Sequence, residues 1–488
     1  MITFLHNRAR TTLTDIDPDT TVLNWLRGPA GCTGTKEGCA SGDCGACTVV
    51  VGEPQHGKMV WKTANSCLML VSQLQGKQLL TVEDLAQGNQ LHPAQQTLAD
   101  NHGSQCGFCT PGIVMSMFAL QKNAPGADRH SIEQHLGGNL CRCTGYRPII
   151  EAAQALCQAP DDDQFQANSA AIAQQLAQIT GEENDDEEND ATTELAGGNH
   201  RCLLPKDITS LARLYQQYPQ AHLLAGGTDL ALQITQFYRQ LPLLISLNHV
   251  KELSAITVTD SMITLGATAR LSDIGHQLQS YIPAFSEMLT RFASCQVRNQ
   301  ATLAGNLANA SPIGDGAPML LALGASLSLQ CGEQQRELPL DDFFLDYRKT
   351  ALAPGEFIRA IHIPRVTVSP SFQAWKVSKR REDDISTVFG AFNLHHDQGV
   401  ITSARLAFGG MAAVPARALA CESELCAKPL SETTLAAACS ALDKDFSPMS
   451  DFRGTKDYRL QVAKNLLRRY FMSQLQGSDL VEVSQYVG

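Results

Sequence analysis

No run of about 18 apolar residues occurs anywhere in the 488 residues, which excludes a membrane-spanning helix. Residues 1–20 alternate apolar with charged and hydroxyl side chains. They lack both the apolar stretch and the small-residue cleavage site of a secretory signal, so the cytoplasm is the expected compartment. A basic excess is missing as well, and nucleic-acid binding therefore has no electrostatic support. The net charge of −11 has a local source, because residues 161–194 hold 11 acidic residues and no Lys or Arg. Removing those from the 49 acidic residues leaves 38, which balances the 38 Lys and Arg. A Gly-x-Gly-x-x-Gly fingerprint following a strand is absent too, which disfavours a Rossmann fold.

What is present describes a multidomain globular protein, with 43% hydrophobic and 18% charged residues in a chain long enough for about three or four units. The acidic run 181–190 is too self-repelling to pack, and residues 161–199 read as a linker between two halves. In the first half, residues 2–6, 10–16 and 47–51 read as strands of a small sheet-rich unit. From about Gln90 the pattern turns helical. Thr110-Pro111-Gly112 supplies an N-cap and a proline for one helix, Ser131 and Gln134 a capping box for a second, and Arg147-Pro148 the opening of a third.

Sixteen cysteines in a reducing compartment are read first as metal ligands, not as disulfides. Cys39, Cys44, Cys47 and Cys67 have the spacing of a plant-type 2Fe-2S ferredoxin loop. Gly34, Gly38, Gly42 and Gly45 clear the approach of backbone N–H groups to such a cluster and permit positive φ. Zinc fits this uneven spacing poorly. The second set, Cys106, Cys109, Cys141 and Cys143, is ambiguous by spacing alone between a cluster, zinc and a redox pair. The other eight cysteines have no partners at such spacing and are expected as small buried apolar residues.

In the second half, Leu223, Leu224, Ala225, Gly226, Gly227, Thr228, Asp229 and Leu230 place two glycines and a threonine between a strand and a helical stretch. Such a turn can present backbone N–H groups to a pyrophosphate, although glycine turns of this kind are common. A second small-residue segment runs through Thr302, Leu303, Ala304, Gly305 and Asn306 to Asp315. Two such loops suit a dinucleotide better than a single phosphate.

The segments Thr33-Gly-Thr-Lys-Glu-Gly-Cys39, Gly42-Asp-Cys-Gly-Ala-Cys-Thr48, Gln105-Cys-Gly-Phe-Cys-Thr-Pro-Gly112 and Gly137-Gly-Asn-Leu-Cys-Arg-Cys-Thr-Gly-Tyr-Arg147 resemble the molybdenum hydroxylases of the xanthine dehydrogenase and aldehyde oxidase family. Cys32 departs from the aliphatic residue usual there. The resemblance implies one 2Fe-2S cluster per cysteine set, with the second nearer a molybdenum cofactor whose pterin Gln105 would contact. The flavin half resembles the same family through the two loops and Lys376-Val-Ser-Lys-Arg-Arg-Glu-Asp-Asp384. It implies FAD on residues 223–230 and 302–306, with Phe292, Asp315, Ile358 and Lys376 at further FAD-contacting positions. Core packing is the competing role for Phe292 and Ile358, and a solvated turn for residues 379–384, which in the family lie near the flavin and affect NAD access.

The implied architecture is α+β and multidomain: a plant-ferredoxin-like β-grasp domain (1–88), a four-helix 2Fe-2S domain (89–160), the acidic linker (161–199), a non-Rossmann α/β FAD domain (200–370) and a C-terminal α+β flavoprotein domain (371–488). The expected function is electron transfer from a molybdenum cofactor on a partner through both clusters to FAD and then NAD+, in the oxidation of hypoxanthine and xanthine to urate, with no catalytic acid or base in this chain. A molybdenum domain is expected on a separate large subunit, in a dimer of heterodimers. This fusion of clusters and flavin resembles the small subunit of bacterial two-subunit xanthine dehydrogenases. The equivalent subunit of an aldehyde- or N-heterocycle-oxidising enzyme is the alternative, and a zinc-stabilised scaffold is the rival of another class.

Overall fold

The computed structural model describes residues 1–55, 57–181 and 192–476. The chain forms two compact units, one of Met1–Lys251 with Ala293–Ala301, the other of Glu252–Phe292 with Thr302–Gly488.

The first unit begins with strands β1 (Ile2–His6) and β2 (Ala9–Leu13), helix α1 (Val22–Arg27), and strands β3 (Thr48–Gln55), β4 (Lys58–Asn65) and β5 (Gln78–Leu80). They form one sheet in the order β2-β1-β5-β3-β4, in which β1 runs parallel to β5. Helices α2 (Pro93–Asp100), α3 (Thr110–Asn123), α4 (Arg129–Leu136) and α5 (Arg147–Gln158) follow. They bury Leu98, Met117, Phe118, Ile132, Ile149 and Leu156 in a core that also takes Trp61 from β4. Helix α4 begins two residues before the predicted Ser131, because Asp128 supplies the cap and accepts from the Ser131 N–H at 2.8 Å. Helix α3 starts at Thr110 itself, with Cys109 at the cap position.

The predicted linker meets regular structure on both flanks. Residues 161–181 carry helices α6 (Gln164–Ala167) and α7 (Ser169–Thr180), and α7 buries Ile172, Ala173 and Leu176 in the helical core. The acids that open the stretch are neutralised from inside, since the buried Lys122 ammonium pairs with Asp161 and lies 2.7 Å from Asp163, which also pairs with His92 at 2.6 Å. The acidic run itself, 182–191, lies outside the described residues. Strand β6 (Thr193–Gly197) then forms a hairpin with β7 (His200–Leu204). Helix α8 (Ile208–Gln217), strand β8 (His222–Leu224), helix α9 (Leu230–Thr235) and strand β9 (Leu243–Ser246) complete a sheet ordered β6-β7-β9-β8. Its Leu195, Cys202 and Leu244 share a core with Ile2, Phe4, Trp25 and Leu26, so the first part of the predicted FAD domain packs with the ferredoxin-like sheet instead of standing apart from it.

Among its described residues the second unit contains two larger antiparallel sheets and a two-stranded one of Phe344–Asp346 and Lys349–Thr350. One has five strands in the order Ile256–Val258, Met262–Gly266, Phe357–Pro364, Ser326–Cys331, Gln334–Pro339. The other is a meander of Gln373–Val377, Val388–Asp397, Val400–Gly409 and Ala416–Arg417. Its Trp375, Phe392 and Phe408 pack with Tyr470 and Phe471 of the helix Lys456–Gln476.

Candidate functional site: two converging cysteine sets

The loop between α1 and β3 presents Cys39 and Cys44 at intermediate exposure and buries Cys47, while Cys67 arrives buried from the segment after β4. The Cys47 and Cys67 sulfurs lie 3.3 Å apart. The N–H groups of Ser41 and Cys44 each point at the Cys39 sulfur from 3.4 Å, as donors to a thiolate do. A hydrogen bond from the Cys44 thiol pulls Cys39 down to about 4 and pushes Cys44 up, and Cys67 acts likewise on Cys47. Within each pair the shared hydrogen bond makes one sulfur easier to ionise than the other.

The glycines have separable reasons. Gly42 and Gly45 adopt positive φ, +85° and +68°. A Cβ on Gly38 would lie 2.7 Å from the Cys44 sulfur, so side-chain absence leaves that thiol room. At Gly34 a Cβ would strike the Glu83 carboxylate, which accepts the Gly34 N–H at 2.6 Å.

The second set is gathered from two loop-to-helix junctions. Burial, followed by the neighbouring Cys141 thiol, pushes Cys109 up to about 12, and Cys143 is raised by its hydrogen bond with Cys106. For Cys141 burial opposes ionisation, but Thr144, whose hydroxyl lies 3.2 Å from the sulfur, and nearby amides override it and lower its pKa. The Tyr146 hydroxyl accepts the Cys141 N–H at 2.9 Å and fixes that loop. Cys106, Cys143 and Gln105 are exposed.

The structure joins the two loops directly. The Leu140 N–H, one residue before Cys141 of the second set, donates to the Cys44 carbonyl of the first at 3.0 Å. Beside it the Asn139 amide donates to the Gly45 carbonyl at 3.1 Å and accepts from Ser116 at 2.6 Å. Gln296, on a helical turn at Cys295–Arg298, donates to Asn139 at 2.9 Å. Asn139 lay inside a quoted cysteine segment and could have been found there, whereas Gln296 carries no local signal.

The predicted flavin residues fall in both units and are described separately. In the first unit, residues 223–230 form the end of β8, a tight turn and the start of α9. A Cβ on Gly226 would sit 2.2 Å from the Gln300 carbonyl, and Gly227 has φ +78°. Gln73 and Asn248 tie down the turn's carbonyls, both reaching Ala225 O at 3.0 Å. The N–H groups of Gly226, Gly227 and Thr228 donate to no group among the described residues. Unpaired amides in a glycine turn form an anion cradle, so this segment fits a pyrophosphate.

In the second unit, Thr302 caps the short helix Leu303–Ala308 by accepting from Gly305 N–H, and the Asn306 Oδ1 is buried with no hydrogen-bond partner. An orphaned amide oxygen of this kind can take a donor from a ligand or a water. Asp315 is brought to Lys376 at 2.9 Å and to the Ser386 hydroxyl at 2.6 Å. The Lys376 ammonium also reaches the Arg291 carbonyl at 3.4 Å, which sets half-buried Phe292 next in sequence to this pair. Ile358 is buried in its strand opposite Leu329. The charged run is a self-bonded exposed turn in which Arg380 N–H donates to Asp384 at 2.8 Å.

Comparison with known proteins assigns four successive modules. Residues 5–72 match the 2Fe-2S iron-sulfur cluster binding domain, 81–154 the [2Fe-2S] binding domain, 198–366 the FAD binding domain in molybdopterin dehydrogenase, and 373–474 the CO dehydrogenase flavoprotein C-terminal domain. Xanthine dehydrogenase of Emericella nidulans is 34% identical over 98% of this chain and 39% of its own length. Xanthine dehydrogenase/oxidase of Gallus gallus is 31% identical over 97% of this chain and 40% of its own. The chain therefore spans about two fifths of the length of these relatives. Among solved structures, a carbon monoxide dehydrogenase from Hydrogenophaga pseudoflava that lacks the Mo-pyranopterin moiety is similar with a TM-score of 0.53 and 27% identity, over 56% of this chain and 96% of that one. Quinoline 2-oxidoreductase from Pseudomonas putida 86 is similar at 0.52 and 25% identity, with the same coverage of both chains.

Proposed function

Because the chain belongs to the molybdenum hydroxylase family and carries its iron–sulfur and FAD part, we propose that it is the electron-transfer subunit of a xanthine dehydrogenase that delivers electrons to NAD+. In this reading Cys39, Cys44, Cys47 and Cys67 hold one 2Fe-2S cluster, and Cys106, Cys109, Cys141 and Cys143 hold the other. The backbone of residues 223–230 and 302–306 holds FAD, with Phe292, Asp315, Ile358 and Lys376 as further contacts. When bound, the clusters carry single electrons and the flavin couples them to hydride transfer. The chain's own residues bind and orient: Ser41 and Cys44 amides favour the charged sulfur of Cys39, and Leu140 and Asn139 hold the two ligand loops in register.

The observation that carries the reading is the convergence of two four-thiol sets whose loops share a main-chain hydrogen bond, Leu140 N–H to Cys44 O. The molybdenum cofactor belongs, in this reading, to a partner subunit, in a dimer of heterodimers located in the cytoplasm. An N-heterocycle-oxidising enzyme is the alternative, favoured by the likeness to quinoline 2-oxidoreductase.

The test uses the purified chain. About four irons and one FAD per chain are expected, since each 2Fe-2S cluster contributes two irons. Cys44→Ser and Cys109→Ser should each remove a different paramagnetic signal of the reduced protein. NADH should bleach the flavin absorbance, while xanthine should do nothing until a molybdenum-bearing chain is added. Bleaching by xanthine alone would refute the division of labour, and a reconstituted enzyme that never reduces NAD+ would refute the acceptor.

A further inference from the structure

Among the described residues, one group of side chains able to hold a metal lies outside both cysteine sets and both flavin segments. Asp17 and Asp19 occupy the turn between β2 and α1, and His200 opens β7. The turn is closed by the Thr20 N–H donating to the Asp17 carbonyl at 2.9 Å. The β6–β7 hairpin is drawn against it. Asp15 pairs with Ala196 in a parallel bridge, and Gly197 comes so close that a Cβ would lie 2.3 Å from the Ile16 carbonyl carbon.

His200 is 9% exposed, and its Nδ1 is buried without a hydrogen bond. That nitrogen lies 3.4 Å from Asp17 Oδ1 and 3.4 Å from Asp19 Oδ1, and the three atoms are mutually within 4.8 Å. Asp19 is oriented by its other oxygen, which accepts the Leu241 N–H at 3.2 Å.

A nitrogen 3.4 Å from two carboxylate oxygens makes no good N–H···O bond to either. The same separation suits two ligands of one tetrahedral ion, because bonds of about 2.0–2.1 Å at tetrahedral angles place ligand atoms about 3.3–3.4 Å apart. Octahedral Mg2+ at about 2.1 Å would bring neighbouring ligands to about 3.0 Å, and both Mg2+ and Ca2+ prefer oxygen to imidazole. Two carboxylates would also neutralise a divalent charge.

We propose that Asp17, Asp19 and His200 form a zinc site, with water completing the tetrahedron, which clasps the β2–α1 turn to the β6–β7 hairpin. The site is independent of the proposed cofactor and substrate reading.

The experiment equilibrates the full chain, with iron and flavin in place, with zinc and then measures metal content and the zinc X-ray absorption edge. One zinc per chain is expected, bound only by nitrogen and oxygen at about 2.0–2.1 Å. Asp17→Asn and His200→Gln should each weaken zinc binding by about tenfold or more while iron and flavin content stay unchanged. Asp17 is half exposed, so its substitution leaves the fold intact and the result readable. A sulfur shell at about 2.3 Å, which would put zinc in the cysteine loops, overturns the proposal. So do absence of zinc from the unaltered chain, undiminished binding in both variants, or loss of iron together with zinc in Asp17→Asn.

Discussion

The two cysteine sets place their members at different depths, with two buried in the first and one in the second. Cys47 and Cys67 are 2% and 1% exposed and belong to the core that contains Ile2, Phe4 and Leu26. Cys106 and Cys143 are exposed, among Phe108, Leu140 and Tyr146, which are themselves 40–48% exposed. Half of the first set is therefore part of a hydrophobic core, whereas the second set contributes Cys141 to the helical core and leaves Cys106 and Cys143 at the surface.

The sharpest way to break this comparison is to remove one ligand from each region. Cys47→Ser should lose its cluster and lower unfolding stability by about 3 kcal/mol or more, as losses of core-buried metal ligands do. Cys143→Ser should lose its cluster and leave the unfolding midpoint of the helices nearly unchanged. Iron analysis with thermal circular dichroism separates these outcomes, and equal destabilisation by both would show that burial does not distinguish the sets.

The helical region has its own buried anchor, independent of metal. Lys122, with a side chain 1% exposed, lies 5.3 Å from the Phe118 ring centroid and pairs with Asp161 and Asp163, so it fastens α3 to the α6–α7 segment. Lys122→Ala should cost about 3–5 kcal/mol in denaturant unfolding, because it strands buried carboxylate charge.

The same group sets a pH dependence. Burial works against the Asp163 charge, but hydrogen bonds from His92 and Lys122 override it and hold the carboxyl well below the usual range. A depressed folded pKa contributes stability that is complete above the unfolded value of about 3.9 and is lost as pH falls through the folded one. Acid unfolding of the native chain should therefore begin below about pH 4, and Lys122→Ala should move it to higher pH. An unmoved acid transition would mean that His92 alone holds Asp163.

Smaller changes sharpen the comparison at the seam between the regions. Asn139→Ala removes the amide that serves Gly45, Ser116 and Gln296 and should cost about 1–3 kcal/mol through the polar groups left unpaired. Both clusters should respond in redox titration, since the residue touches both loops. Tyr146→Phe removes only the acceptor of the Cys141 N–H, should cost about 1 kcal/mol, and should shift the potential of the second cluster alone. A shift in both would show that the second loop is not the only structure this hydroxyl supports.

Local chemistry was readable without coordinates because ligand spacing, capping residues and turn glycines act within a few residues of each other. The eight cysteines, the opening of α5 at Arg147-Pro148 and the glycine turn before α9 are of this kind. The same reasoning placed the α4 cap three residues late, because Ser131 and Asp128 carry equivalent capping signals and only the folded backbone chooses between them. It also took 161–181 for linker, since acidic composition does not reveal that a lysine 39 residues earlier will neutralise it. Sequence alone therefore singled out the two cysteine sets and where the main turns fall. Tertiary structure decided that Leu140 meets Cys44, that Gln296 reaches back across 157 residues to Asn139, and that His200 faces Asp17 and Asp19. The reason is physical: those contacts arise from burial of a shared core between segments distant in sequence, and no local periodicity records which distant segments will share one.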